Sequence, residues 1–152
     1  SKQGDVQLVR RLLAKKANPN KGHLSNGWTP LCVAAFSGHR DLCEILLAAG
    51  ANVDQLTHRG ASPILIASQQ GQAAAAELLL KRKGNPNLPD EAGKTPLIKA
   101  CKRGHRDAVS QLLQAKADVD HRAAGDLSAL QCANHNGDAE VLKLLLDAKA
   151  PM

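Results

Sequence analysis

The stretch that decides the fold is GWTPLCVAAFSGHRDLCEILLAAGANVD, which runs from Gly27 to Asp54. The Thr before the Pro can cap a helix, and the Pro fixes the first helical φ angle. A short apolar helix then ends at Gly38, and a second helix follows at once. Leu42, Ile45 and Leu46 have the spacing of one buried face in that second helix. The Gly/Asn/Asp-rich end of the stretch predicts a turn.

The same pattern recurs along the chain at one fixed interval, equal to the separation of Gly38 and Gly71. Three sets of landmarks keep the interval: a Ser or Thr followed by Pro or Ala, a glycine, and a pair of leucines. They are Thr29-Pro30, Ser62-Pro63, Thr95-Pro96 and Ser128-Ala129; Gly38, Gly71, Gly104 and Gly137; and Leu46-Leu47, Leu79-Leu80, Leu112-Leu113 and Leu145-Leu146. A fixed period of about 33 residues is typical of a solenoid. We therefore expect one domain over 1–152, with full repeats at 27–59, 60–92, 93–125 and 126–152.

A partial repeat precedes these four, over residues 1–26. Gly4 and Leu12-Leu13 precede their counterparts, Gly38 and Leu46-Leu47, by the repeat interval plus one residue. One extra residue therefore belongs in the loop between Ala17 and Gly27. Residues 1–3 are too few to form the helix that should precede Gly4, so we expect the natural chain to extend further towards its N-terminus. The apolar last helix, around Leu144, favours a further repeat or a partner covering the other end.

Gly27 to Asp54 resembles an ankyrin repeat over its whole length, and Gly93 to Asp120 (GKTPLIKACKRGHRDAVSQLLQAKADVD) resembles one almost as closely. The resemblance extends over nearly the whole chain. It implies an all-α ankyrin-repeat solenoid of stacked antiparallel helix pairs with β-hairpin turns, curved into an L-shaped array. It also implies that His39 and His105, at a Gly-His step between helices, hydrogen-bond to the backbone.

The sequence departs from the family pattern at two positions of each repeat. The usual His after Thr-Pro-Leu is replaced, so we expect apolar packing in its place; the residues there are Cys32, Leu65, Ile98 and Gln131. The glycine that normally ends the second helix remains as Gly50, and lysines stand elsewhere, at Lys16, Lys83, Lys116 and Lys149. A lysine in the left-handed conformation costs about 1 kcal/mol, partly recovered at the negative helix end. We expect moderate stability.

Composition favours thin helical layers and a reducing environment. The chain has one Trp, one Phe and no Tyr, so its core must be built from Ala, Leu, Ile and Val. Four cysteines without a CxxC pair indicate buried thiols and hence an intracellular, reducing compartment, with cytoplasm or nucleus favoured over an organelle. No apolar run approaches the ~20 residues that cross a bilayer. The net charge of +6 favours an acidic partner.

No pattern in the sequence predicts catalysis, a cofactor or a metal site. Ala92 to Thr95 resembles the end of a phosphate-binding loop, but Leu88 stands where that motif needs a glycine. Three histidines, His23, His58 and His121, fall in turns, where we expect solvated tips. No nucleophile, carboxylate pair or metal-ligand spacing accompanies them. We therefore expect a protein that is not an enzyme.

The resemblance implies that partners are held by turn tips and by exposed positions of the first helices. Carried onto this sequence, those positions and a nearby lysine give ten candidate residues. They are Trp28, Phe36, Ser37, Gln69, Gln70, Lys94, Lys99, Lys102, Arg103 and His135. The aromatics fall in one repeat and the cations two repeats further, about 20 Å away at typical helix separations. An extended segment of about six residues would span that distance.

Three functions remain open from sequence alone. The first is a protein–protein interaction module whose groove binds a segment with apolar and acidic residues. The second is association with nucleic acid or an anionic surface through Lys81 to Lys83 and the groove cations, although two aromatics are few for base stacking. The third is a structural subunit within a larger chain or complex. The alternative to all three is that the aromatic side chains only shield a turn and that the cations are ordinary solvated surface residues.

Overall fold

The computed structural model describes residues 2–149, in which nine α-helices alternate with short turns. The helices are α1 (Lys2–Ala14), α2 (Pro30–Ser37), α3 (Arg40–Ala48), α4 (Pro63–Gln70), α5 (Ala73–Lys81), α6 (Pro96–Arg103), α7 (Arg106–Gln114), α8 (Ala129–Asn136) and α9 (Ala139–Lys149). A single 3₁₀ turn covers Ala124–Asp126. The predicted all-helical solenoid is confirmed.

The first helix of each full repeat begins at the Ser or Thr that the sequence predicts as its cap. The hydroxyl of Thr29 accepts the Cys32 backbone N–H at 3.3 Å, and that of Ser62 accepts the Leu65 N–H at 3.1 Å. The helix ends at a glycine in the left-handed region, as at Gly71 with φ of 71°. A Cβ added there would lie 2.5 Å from the His105 ring, so both the backbone and the space require glycine.

The helices form two layers. The inner layer is α2, α4, α6 and α8, each packed on the next, and the outer layer is α1, α3, α5, α7 and α9. One alanine in the middle of each inner helix is fully or almost fully buried, which lets neighbouring helices approach closely; these are Ala34, Ala67, Ala100 and Ala133. The core holds Leu, Ile, Val, Ala and Cys side chains, while Trp28 and Phe36 lie outside it.

The turns between repeats are hairpins, and each has a backbone hydrogen bond at the same place across its two ends. The donor–acceptor pairs are His23 to Trp28, Thr57 to Ala61, Asp90 to Lys94, and Ala123 to Leu127. The first pair encloses one residue more than the others, which confirms the extra residue predicted before Gly27. In residues 2–149 the turns form an isolated bridge, at Ala123 and Leu127, but no longer strand ladder.

Polar side chains and backbone groups join each turn to the next. The backbone N–H of His58 donates to the Asn26 carbonyl at 2.9 Å, and that of Glu91 to the Arg59 carbonyl at 3.0 Å. A second series of hydrogen bonds lies near the turns. In each, the Asn or Asp side chain of one repeat accepts a backbone N–H of the next repeat. The pairs are Asn20 with Asn52 at 2.6 Å, Asp54 with Asn85 at 2.9 Å, and Asn87 with Asp118 at 2.7 Å. These bonds fix the spacing of the repeats.

Two details differ from the sequence-based expectation. Gly4 lies inside α1, which begins at Lys2, and not at an inter-helix step. Lys149 lies at the end of α9, where its ammonium is 2.6 Å from Asp120 Oδ1, and not in the left-handed region. The other three lysines confirm the prediction, with positive φ of 62° to 66° at Lys16, Lys83 and Lys116. No helix in residues 2–149 is long and apolar enough to cross a membrane.

Candidate functional site

The inner helices and the turn tips enclose a cavity of about 600 Å³ on the inner side of the solenoid. We call this cavity the groove. Six of the ten candidate residues line it: Trp28, Phe36, Gln69, Gln70, Lys94 and Lys99. The other four, Ser37, Lys102, Arg103 and His135, are exposed and lie outside it. A larger cavity of about 1130 Å³ lies between α1 and α3, in the outer layer, and includes none of the ten.

The aromatic end of the groove is one edge-to-face pair. The ring centroids of Trp28 and Phe36 are 5.7 Å apart with an interplanar angle of 67°. Trp28 belongs to the turn, where its backbone N–H donates to the Asn26 side chain at 3.0 Å, and Phe36 belongs to the last turn of α2. Phe36 remains 44% exposed. Such a pair is worth about 0.5–1.5 kcal/mol and presents a preorganised apolar surface.

The C-terminal ends of the inner helices are held by the following repeat. The Gln72 side chain donates to the Phe36 carbonyl at 3.0 Å, and the His105 Nε2 donates to the Gln69 carbonyl at 3.1 Å. The Asn136 side chain does the same for the Lys102 carbonyl at 3.0 Å. The candidate residues at these helix ends therefore sit on a fixed backbone. The backbone hydrogen bond predicted for His105 is confirmed.

The middle of the groove contains an ion pair that the sequence did not predict. Lys99 Nζ lies 3.0 Å from Asp90 Oδ2, with side chains only 20% and 12% exposed. Burial alone would raise the pKa of Asp90. The backbone N–H groups of Lys94 and Ala92 and the Lys99 ammonium outweigh burial and hold the pKa below its usual value. Lys99 thus lines the groove, but its charge is already neutralised.

The cations that remain available lie beyond this pair, towards α8. Lys94, Lys102 and Arg103 have no carboxylate within 4 Å in the part of the chain that the structure describes. Burial, the largest effect, raises the pKa of the Cys132 thiol, while the charges of Lys102 and Lys94 act to lower it. Both lysines therefore lie near the same side chain on α8. With Arg103 they form a basic end on α6 and the turn before it, next to the neutral pair.

The basic cluster on the outer layer is partly neutralised. Lys81 pairs with Glu77 at 3.0 Å, and Arg82 lies 3.6 Å from Glu44. Both pairs are largely exposed, so each contributes little to stability. They do reduce the positive charge that Lys81 to Lys83 would offer to a polyanion.

Sequence analysis missed a second apolar cavity beside the groove. Its volume is about 580 Å³, and its lining includes Leu24, Trp28, Pro30 and Val33. Leu24 is 92% exposed at the tip of the first turn, and Val33 is 52% exposed on α2. The available signal was the extra residue in that turn, which places Leu24 at the tip. The sequence also offered no indication that Asp90 would reach Lys99.

The remaining histidines contribute to structure. His121 is a half-buried residue whose Nε2 donates to the Gly93 carbonyl at 2.8 Å. The expectation of a solvated tip was therefore wrong for His121, because its ring bridges to the preceding turn. His23 is exposed and bonds the Ser25 hydroxyl at 2.8 Å, and His58 is exposed. His39 lines the outer cavity beside α1.

The four cysteines are unpaired and buried. Burial raises the pKa of the Cys43 and Cys101 thiols to about 12, so both thiols are protonated, and therefore weak nucleophiles, at neutral pH. Across residues 2–149, no three His, Cys, Asp or Glu side chains are grouped so that they could hold a metal ion. What the groove offers chemically is apolar contact, amide hydrogen bonding and charged groups of both signs, with cations from Arg59, Lys94 and Lys99 and carboxylates from Asp90 and Glu91.

Comparison with known proteins agrees with this architecture. A family model described as ankyrin repeats (3 copies) matches residues 1–90 and 64–151.

The glycerophosphocholine phosphodiesterase gde1 of Schizosaccharomyces pombe is 39% identical over 54 residues, which is 36% of this chain and 5% of that protein. The histone-lysine N-methyltransferase EHMT1 of Homo sapiens is 42% identical over 55 residues, 36% of this chain and 4% of that protein. The ankyrin repeat domain-containing protein 49 of Homo sapiens is 42% identical over 52 residues, 34% of this chain and 22% of that protein. The matched segment thus spans less than a quarter of each relative.

Proposed function

The chain belongs to the ankyrin-repeat family, and we propose that it is a non-catalytic module that binds a partner protein through its groove and turn tips. Repeats of this family generally mediate protein–protein interactions and are generally not catalytic. The relatives named above are larger proteins, so the activities in their names belong to them. The proposal concerns what this domain contributes to whatever protein carries it.

One observation carries the proposal, namely the Trp28–Phe36 pair at one end of the groove, in which the indole is half-buried and the phenyl ring is exposed. The core of this solenoid is built without aromatics, so packing does not explain why these two are present. Both line the groove, and the backbone beneath Phe36 is fixed by Gln72. Aromatic anchors in a preorganised, partly shielded position tend to dominate interface energies.

The charge distribution supports a partner segment with a defined order of residues. An apolar residue would contact the aromatic pair, and polar groups would meet the Gln69 and Gln70 amides. Acidic residues would reach Lys94, Lys102 and Arg103, about 20 Å from the aromatic end at typical helix separations. Lys99 is already paired with Asp90, so its charge is not available to the partner. The acidic residues of the partner segment would therefore contact Lys94, Lys102 and Arg103 instead.

The experiment is a comparison of affinities after a quantitative pull-down. Partners retained by the wild-type chain would be identified by mass spectrometry and titrated by calorimetry against the Trp28→Ala, Phe36→Ala double variant. The matched control is the Leu56→Ala, Leu146→Ala variant, whose apolar side chains are 41% and 54% exposed but lie outside the groove lining. We expect a loss of about ten-fold or more for the groove variant alone. Unchanged affinity in a folded double variant, checked by circular dichroism, would remove the groove from the proposal.

Two alternative functions use the same basic surface, namely binding to nucleic acid or an anionic surface and a structural role in a larger complex. Lys102 and Arg103, which are exposed and have no carboxylate partner among the described residues, favour the first, whereas the pairs at Lys81, Arg82 and Lys99 weaken it. Titration of single-stranded RNA and DNA at low salt distinguishes it, because phosphate binding weakens steeply as salt rises. No binding at low salt would end that alternative.

The four unpaired cysteines support a reducing intracellular compartment for the domain.

A further inference from the structure

The apolar surface around Trp28 does not end at the groove. The second cavity, of about 580 Å³, lies beside the first turn and also has Trp28 in its lining. It is nearly equal in volume to the groove, at about 600 Å³, and the two share this one indole. Trp28 therefore contributes apolar surface to both cavities.

This second cavity is specific to the first full repeat. Val33 is 52% exposed, whereas its counterpart one repeat later, Ile66, is 4% exposed, and Leu24, in the turn that holds the extra residue, is 92% exposed. Exposed apolar side chains are ordinary when scattered, but a contiguous group of them indicates an interaction site. Leu24, Val33 and Phe36 are three of the most exposed large apolar side chains, and all flank Trp28.

The charge of the residues that line this cavity indicates which kind of partner it would bind. In the part of the chain that the structure describes, its lining residues include Lys21 but no carboxylate. The whole chain carries a net charge of +6. A second copy of the chain would therefore bring like charge to a basic surface, which is unfavourable. An acidic segment would be attracted to both the cavity and the groove.

We infer that the partner segment continues past Trp28 and places a second apolar side chain in the cavity formed by Leu24, Trp28, Pro30 and Val33. This inference rests on the proposed function of the groove. The inference places the two side chains on opposite faces of the indole, where van der Waals contact separates them by about 7–8 Å. That distance is two residues of extended chain. The segment thus carries two apolar residues at i and i+2, followed about six residues further by acidic ones.

A displayed library of random peptides of about 16 residues, long enough to span both sites, supplies the probe before any natural partner is identified. Peptides selected on the wild-type chain would be synthesised and titrated by calorimetry. The variants are Leu24→Ser, Val33→Ser for the second cavity, Trp28→Ala, Phe36→Ala for the groove, and Leu56→Ser, Leu146→Ser as the control. All six side chains lie outside the buried core, and folding would be verified by circular dichroism.

We expect the selected peptides to share two apolar positions two residues apart, with acidic residues towards one end. Affinity should fall about ten-fold or more in the Leu24→Ser, Val33→Ser variant and remain within about two-fold in the control. Peptides that need the groove but tolerate the Leu24→Ser, Val33→Ser variant would overturn this inference and leave the proposed function standing. Peptides indifferent to Trp28→Ala, Phe36→Ala would overturn the proposed function itself. A dimer seen by light scattering and lost on Leu24→Ser, Val33→Ser would overturn the inference by assigning the cavity to a second copy.

Discussion

Three lysines hold the backbone conformation in which glycine usually ends the outer helix. Lys16, Lys83 and Lys116 have φ of 62°, 66° and 62°, in the left-handed region that costs a residue with a Cβ about 1 kcal/mol. Gly50 occupies the equivalent position in the first full repeat, at φ of 93°. The fold therefore tolerates strain at several of its helix ends, which limits its stability.

Replacing one of these lysines with glycine should stabilise the protein. We expect Lys83→Gly to raise the free energy of unfolding by about 1 kcal/mol in urea denaturation, because the left-handed strain is removed. Lys143→Gly is the matched control, since Lys143 is exposed inside α9. There glycine should lower the free energy of unfolding by about 1 kcal/mol. Equal effects of the two changes would contradict the strain argument.

The Asp90–Lys99 pair is the second residue-level feature. Asp90 Oδ1 accepts the backbone N–H of Ala92 and Lys94, so this carboxylate also shapes the third turn. Its pKa lies below that of the unfolded chain, so the stabilisation is present above the unfolded pKa near 4 and is lost as pH falls through the folded value. The contribution of Asp90 to stability is thus complete at neutral pH and is lost in acid.

Asp90→Asn should lower the free energy of unfolding by about 1–3 kcal/mol at pH 7, because it leaves the Lys99 charge poorly solvated. The loss should shrink as pH falls below 4, where the wild-type carboxyl becomes protonated. Asp126→Asn breaks an exposed pair with Arg122, whose side chains are 73% and 56% exposed, and should cost less than about 1 kcal/mol. Thermal or urea unfolding across pH measures both. A larger effect at Asp126 would refute the role assigned to Asp90.

At the scale of elements, α1 is packed less completely than the other outer helices. Leu8 and Leu12 are 57% and 48% exposed, whereas their counterparts in the first full repeat, Leu42 and Leu46, are 8% and 1% exposed. Leu42 and Leu46 pack against α2, the inner helix of their repeat. Among residues 2–149, α1 has no such helix of its own, so its apolar face is only partly covered.

Hydrogen exchange should therefore be fastest in α1 among the outer helices. Local opening of a helix costs less when fewer apolar side chains must leave their contacts. We expect amides of α1 to exchange at least about ten-fold faster than those of α5 and α7 under native conditions, measured by mass spectrometry of peptic fragments. Equal protection across these helices would show that α1 is stabilised by something other than the packing of Leu8 and Leu12.

The sequence predicted the helices and turns because each depends on residues close together in the chain. The cap at Thr29, the left-handed Gly38 and the buried face of α3 are local patterns that recur from one repeat to the next. The site was predicted only in part. The Asp90–Lys99 pair, the His121 bond to the Gly93 carbonyl and the second cavity depend on side-chain conformations and on contacts between successive turns. Periodicity does not encode these.

At the scale of the whole molecule, the stacked repeats form one continuous surface whose chemistry changes from aromatic to basic along its length. The aromatic pair belongs to the first full repeat, whereas the neutral Asp90–Lys99 pair and the basic end with Lys94, Lys102 and Arg103 lie on α6 and the turn before it. Their spacing is set by the inter-repeat hydrogen bonds that hold the turns and helix ends. Recognition by this protein should therefore depend on the order of residues in a partner segment.

Trp28 is the single tryptophan of the chain, so its fluorescence reports on the groove and on the second cavity that shares this indole. The most direct measurement is a titration of the wild-type chain with a partner that contains no tryptophan, following emission while calorimetry measures the affinity. The proposed function predicts a saturable blue shift, because the partner removes the half-buried indole from water, with a midpoint that matches the calorimetric affinity. Tight binding with no change in Trp28 emission would contradict the account.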